Sequence, residues 1–215
     1  MNLLISYPRS GNTWLRYCVE FLAKKPTVGY TGTQKGKPIM SNFNIKNSKP
    51  PLLKKLHTVD EQSEKASKVI LVLRNYKECI PRHVNLFSCE EAIKKSGRIS
   101  YLDLLYFYDN FNGEKIIIYY EDLMLQPKEE LKKLLSFLKE SEDFLEEFIE
   151  NFEYHKKQSI SFYNKGESKS QTEGNAINYQ TQKMTQKQIV DWDIFFEKIH
   201  EKIFNKYLKR YKENG

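Results

Sequence analysis

Long apolar runs are missing from this chain. No stretch approaches the ~18 residues that a membrane span needs, and the first strand-like run opens at the second residue, which leaves no room for a signal peptide or anchor. Cysteine is scarce and odd in number: Cys18, Cys79 and Cys89 cannot form a disulfide framework and read as free thiols in a reducing compartment. Zinc-ligand spacing is absent, and so is any recognisable nucleic-acid-binding motif. The excess of 35 Lys+Arg over 28 Asp+Glu, a net charge of +7, therefore reads as suited to a small polyanionic ligand rather than to nucleic acid. The pattern Gly-x-x-x-x-Gly-Lys-(Ser/Thr) is missing too, which counts against a magnesium-dependent nucleotide kinase. With no internal repeat and no break in composition, the 215 residues are expected to form one domain, cytoplasmic, with neither membrane nor nucleic acid as partner.

Apolar runs and helical patterns alternate along the chain, which predicts an α/β fold with a mostly parallel sheet. Residues 2–7 read as a first strand and 11–24 as a helix. Residues 69–74, Val-Ile-Leu-Val-Leu-Arg, form a continuous apolar run of the kind buried on both faces of a parallel sheet, and 115–120 form a third strand. Leu131, Leu134, Leu135 and Leu138 fall at helical spacing, as do Phe144, Phe148, Ile149 and Phe152. A last long helix is predicted over 185–211, capped by Thr185, with Trp192, Phe196, Ile199, Ile203 and Tyr207 on one stripe. Residues 30–51 and 155–184 carry no clear periodicity and are expected to be active-site loops.

The most informative stretch follows the first strand. Pro8 cannot donate to a sheet ladder and ends the strand, while Gly11 can take a backbone geometry open to few other residues. The amides of residues 10–14, the positive end of the next helix and the guanidinium of Arg9 together predict an anion cradle that needs neither carboxylate nor metal.

Residues 7–14, Tyr-Pro-Arg-Ser-Gly-Asn-Thr-Trp, resemble the 5'-phosphosulfate loop of sulfotransferases that use 3'-phosphoadenosine 5'-phosphosulfate (PAPS), whose usual form is Tyr-Pro-(Lys/Arg)-Ser-Gly-(Thr/Ser)-Thr-Trp. Asn12 is the departure. Lys54-Lys55-Leu56-His57 is similar to that family's Lys-Thr-His motif, with Leu56 in place of Thr. The resemblance implies that His57 is the general base and Lys55 a charge stabiliser. A base of near-neutral pKa is what sulfuryl transfer to a hydroxyl or amine requires. Of the other three histidines, His83, beside Arg82, is the fallback. Arg74, at the end of a strand, and position 82 correspond to the arginine and serine that grip the 3'-phosphate; here Arg82 replaces the serine. Tyr119-Tyr120-Glu121-Asp122-Leu123 resembles the Tyr-Glu-Asp-Leu segment whose tyrosine approaches the adenine, a role that would fall to Tyr120, with Trp14 as a further candidate. Asn164-Lys165-Gly166 corresponds to an Arg-Lys-Gly loop that closes on the 3'-phosphate, with Lys169 nearby.

The resemblance implies a three-layer sandwich around the parallel sheet, with a P-loop-like strand-loop-helix. The donor site would comprise Arg9, Ser10, Gly11, Asn12, Thr13, Trp14, Arg74, Arg82, Tyr120, Lys165, Gly166 and Lys169. His57, Lys55 and Arg9 would act on the reacting groups, with PAPS as donor, 3'-phosphoadenosine 5'-phosphate (PAP) as product and no metal required. The acceptor is a small molecule or glycan, its pocket lined by residues from 26–53 and 84–112, and nothing in the sequence sets the oligomeric state. A P-loop nucleotide kinase and a non-catalytic nucleotide-binding module are the alternatives.

Overall fold

The computed structural model describes residues 1–29, 36–40, 42, 50–61, 63–164 and 177–212. Five strands form one sheet: β1 (Asn2–Ser6), β2 (Thr27–Gly29), β3 (Leu53–Leu56), β4 (Lys68–Leu73) and β5 (Glu114–Tyr119). Their spatial order is β2-β3-β1-β4-β5, and every pairing is parallel. The most apolar strands, β1 and β4, lie adjacent in the middle, where both faces of a strand must be covered. Alternation along them divides the core. Leu3, Ile5, Val69, Leu71 and Leu73 face one layer, while Leu4, Ile70 and Val72 face the other.

The first layer holds helices α2 (Tyr76–Val84), α3 (Cys89–Ser96), α4 (Tyr101–Asn110) and α9 (Gln186–Ile199). The second holds α1 (Asn12–Ala23), α5 (Tyr120–Leu125), α6 (Pro127–Leu138), α7 (Leu145–Glu150) and α8 (Phe152–Asn164). This is the expected three-layer α/β sandwich. None of the helices is long and apolar enough to cross a membrane, among the described residues.

Three expectations about elements change. Strands β2 and β3 carry no apolar run, and β3 reads Leu-Lys-Lys-Leu, so neither is visible as a strand in the sequence. The expected loop 155–184 begins as the body of α8, because His155 and Ser159 occupy inward positions where an aliphatic residue would have signalled the helix. The His155 ring stacks on Phe148 at 4.4 Å and takes a 2.9 Å hydrogen bond with Tyr17, so an imidazole does the packing. The expected helix 185–211 stops at Ile199; His200 turns extended, bonds Tyr106 through Nδ1, and helical turns resume over 201–211. Thr185 does cap α9, in a full capping box with Gln188. Trp192, Phe196, Ile203 and Tyr207 of the predicted stripe are buried, while Ile199 at the break faces outward. Between Gly29 and Pro50 the described residues, 36–40 and 42, form no helix or strand, as expected of a loop.

The chain order reverses at β1: the path leads through α1 to β2 and β3 on one side, then to β4 on the other. Ligands of open parallel sheets bind at such a switch point, beyond the carboxyl ends of the strands. The loops after β1, β3 and β4 carry Arg9, His57 and Arg74 to that edge.

Candidate active site

The loop after β1 turns on two residues in the left-handed region, Arg9 (φ 69°) and Gly11 (φ 91°). The Ser10 amide donates back to the Tyr7 carbonyl at 3.2 Å, and the Leu15 amide closes the first helical bond on Gly11 at 3.0 Å. The amides of residues 11–14 between them are the ones a helix start leaves without intrahelical partners. The Ser10 amide is thus already engaged, and of the expected amides 10–14 those of residues 11–14 are left to face a ligand. Gly11 is required twice over, by its positive φ and because a Cβ there would lie 2.3 Å from Cδ2 of Tyr120. Arg9 pays about 1–3 kcal/mol for a left-handed backbone and is held there by Arg74, whose Nη1 donates to the Arg9 carbonyl at 3.1 Å. The departure at Asn12 also has a reason. Its side chain turns inward and donates to Ser6 Oγ at 3.1 Å, bracing the end of β1 while its backbone stays in the cradle.

Arg74 lies at the end of β4 and is 2% exposed. Its Nε and Nη2 are buried without a hydrogen-bond partner, Nη2 standing 3.6 Å from Glu78 Oε2. The ring of Tyr120 covers the guanidinium, centroid to Cζ 4.4 Å. Tyr120 is the first residue of α5, one position past the strand, so its ring forms a wall between Gly11 and Arg74. Arg82 comes from the last turn of α2; burial and the charge of Arg74 push its pKa down, which places two guanidinium groups in one neighbourhood. Ser10 is also buried; its Oγ has no nitrogen or oxygen partner and neighbours the Cys79 thiol.

His57 follows β3. Its Nδ1 lies 2.6 Å from the Ser6 carbonyl, which can only accept, so Nδ1 carries the proton and Nε2 keeps its lone pair. Burial, then the charge of Lys55, pushes the imidazole down to about 4, with the Ser6 bond opposing the shift. Lys55 is 7% exposed and is itself pushed down to about 8 by burial and by Arg16. Half-buried His83 packs edge-on to Tyr7, 5.5 Å between centroids, and burial and Arg9 push it down as well. A cavity of about 40 Å³ beside His57 is lined by Arg98, Ser100 and Asp103, all from the stretch expected to face the acceptor.

Arg16 and Glu20 were not legible as site residues. Both are buried on α1; Glu20 accepts from Thr27, Ile39 and Met40, while Arg16 donates to Thr27 Oγ1 at 2.7 Å and to the Lys37 carbonyl at 2.7 Å. This network ties the loop around residues 37–40 to α1 and sets the field at Lys55. An Arg and a Glu four apart inside a helix with apolar residues all round was the available signal. Trp14, by contrast, packs among aromatics: it stacks on Tyr17 at 5.8 Å and meets Phe152 edge-on at 5.4 Å, with Nε1 buried and unpartnered. Lys165, Gly166 and Lys169 lie outside the described residues. No group of three or more His, Cys, Asp or Glu that could hold a metal occurs among the described residues.

A sequence profile of the sulfotransferase domain matches residues 101–214, a little over half of the chain. The chain belongs to the sulfotransferase family. The matched segment carries Tyr120 but starts beyond the phosphate loop, His57 and Arg74, so those sites rest on geometry and motif. The fold is similar to that of a mouse sulfotransferase, SULT7A1, solved in complex with PAP: TM-score 0.61, 17% identity, covering 97% of this chain and 87% of that one. No curated protein matches in sequence.

Proposed function

We propose that this sulfotransferase moves the sulfuryl group of PAPS to a hydroxyl or amine of a small-molecule or glycan acceptor. One observation carries the choice of donor: Arg74 is a buried cation with two unpartnered N–H groups, positioned by the same loop that presents amides 11–14. Leaving such donors unpaired costs about 1–3 kcal/mol each, and an anionic oxygen relieves that cost. The residues therefore fit a nucleotide with phosphates at two ends. Amides 11–14 and Arg9 would hold the 5' end; Arg74 and Arg82 would hold the 3'-phosphate; Tyr120 would approach the base, and Trp14, its ring packed among Tyr17, Phe148 and Phe152, would offer only its indole N–H. The mouse protein of similar fold was solved with PAP, which supports a donor of this class. When bound, PAPS supplies an activated sulfuryl group.

The chain's own residues do the remaining work. His57, kept neutral by burial and oriented by Ser6, accepts the acceptor's proton on Nε2. Anionic charge beside it favours the imidazolium that forms, which offsets the low pKa of the ligand-free state. Lys55 and Arg9 stabilise charge as it shifts toward the leaving phosphate. Positioning and fixed charge supply most of the rate, and no step calls on a metal. Three free, buried thiols support a cytoplasmic setting.

Calorimetric titration with PAP, beside AMP and ATP with and without magnesium, tests this reading. Tight, magnesium-independent binding that needs the 3'-phosphate is the expected result. Preference for ATP with magnesium would overturn it.

A further inference from the structure

Helix α2 carries a carboxylate that this chemistry leaves unused. Glu78 is fully buried, one helical step beyond Arg74, with Oε2 3.6 Å from Arg74 Nη2. It is the one carboxylate within ion-pair distance of Arg74 among the described residues. Its remaining partners come from far along the chain. The Gln180 amide reaches its two oxygens at 3.1 and 3.0 Å, the Thr181 amide donates to Oε1 at 2.8 Å, and Thr181 Oγ1 donates to Oε1 at 2.5 Å. The same turn sets the ring of Tyr179 against Arg82, Cζ 5.4 Å from the centroid, and against Lys183, Nζ 3.8 Å from it. The turn is thus joined to the donor-phosphate arginines at two points.

We propose that Glu78 is a positioning residue that couples anion binding at Arg74 to the seating of the 177–183 turn, so that the turn walls the 3'-phosphate subsite. The inference rests on the donor reading above. A buried carboxylate must be paired. With the turn seated, three donors satisfy Glu78, and Arg74 keeps Nε and Nη2 open for a ligand. With the turn lifted, Glu78 keeps only the charges of Arg74, 3.6 Å away, and of Arg82 to lean on, and it would draw in the N–H groups the phosphate needs. Phosphate at Arg74 therefore favours the seated turn, and by linkage a seated turn raises phosphate affinity by the same factor.

The test uses Thr181→Val, which deletes one donor to Glu78 at a half-exposed position, and Thr181→Ser, which restores the hydroxyl. PAP and AMP are titrated into the full-length proteins by calorimetry, and amide exchange at Gln180 and Thr181 is followed with and without PAP. A hydrogen bond to a charged group is worth enough that Thr181→Val should weaken PAP by about 10-fold, spare AMP, and recover in Thr181→Ser. PAP should slow exchange of those two amides in the unmodified protein and slow it less in Thr181→Val. Equal loss of PAP and AMP affinity, unchanged PAP affinity, or exchange indifferent to PAP overturns the coupling while leaving the donor site standing. Failure of the unmodified protein to bind PAP overturns both.

Discussion

Replacing Arg74 with methionine isolates the chemistry of the 3' subsite. Methionine keeps an unbranched, polarizable stem beneath Tyr120 but stops short of the guanidinium carbon that the ring covers, and removes every donor. In the ligand-free protein this deletes two unpaired buried N–H groups, costing about 1–3 kcal/mol each, along with the bond to the Arg9 carbonyl and the ion pair to Glu78. Gains and losses are of similar size, so the melting temperature should move little. Ligand affinity should not escape. Two charge-assisted hydrogen bonds at about 1.5–3 kcal/mol each give about 3–6 kcal/mol. Competition from Glu78 argues for the lower part of that range, about 3–4 kcal/mol, or roughly 10²–10³-fold in Kd. AMP lacks the 3'-phosphate and should lose almost nothing. Calorimetry with both nucleotides therefore reads a ratio: the preference for PAP over AMP should collapse in Arg74→Met, with Arg74→Lys intermediate because a point charge replaces a planar fork. A folded Arg74→Met protein that keeps the full preference would refute the assignment of Arg74 to the 3'-phosphate.

Removing the base should separate chemistry from binding: His57→Ala is expected to cut turnover by about 10²–10⁴-fold with PAP affinity nearly intact, and a large loss of PAP affinity would count against its role. The pH profile of kcat/KM for the donor should be flat between limbs near 4 and 8, because activity needs His57 neutral, which is lost as pH falls through about 4, and Lys55 charged, which is lost as pH rises through about 8. Lys55→Arg should remove the alkaline limb, and an acid limb near the ordinary histidine value would contradict the described burial of His57. Gly11→Ala should lower stability by about 1–3 kcal/mol through its left-handed backbone and should displace Tyr120, seen as a lower melting temperature together with weaker PAP binding.

Much of the layout was legible in residue order because it depends on local rules. The continuous apolar runs of β1 and β4 can be buried only in the middle of a parallel sheet, Pro8 and Gly11 mark a strand-to-helix turn, and Thr185 with Gln188 marks the start of α9. Those signals, with Arg9, Arg74 and Tyr120 falling at strand ends, point to the carboxyl edge of the sheet as the place for a ligand. Tertiary structure decided what each side chain does there. β3 is a strand because it pairs with β1 and β2, and pairing pulls Lys55 out of water, although its own residues favour exposure. The tautomer of His57 is set by a carbonyl 51 residues away, the strained backbone of Arg9 by a guanidinium 65 residues away, and the company of Glu78 by a turn more than 100 residues away. Periodicity along a chain reports which face of an element is buried. Hydrogen bonds and fields between distant elements leave no such periodic trace, and in this sulfotransferase they decide how Arg9, His57 and Arg74 are held.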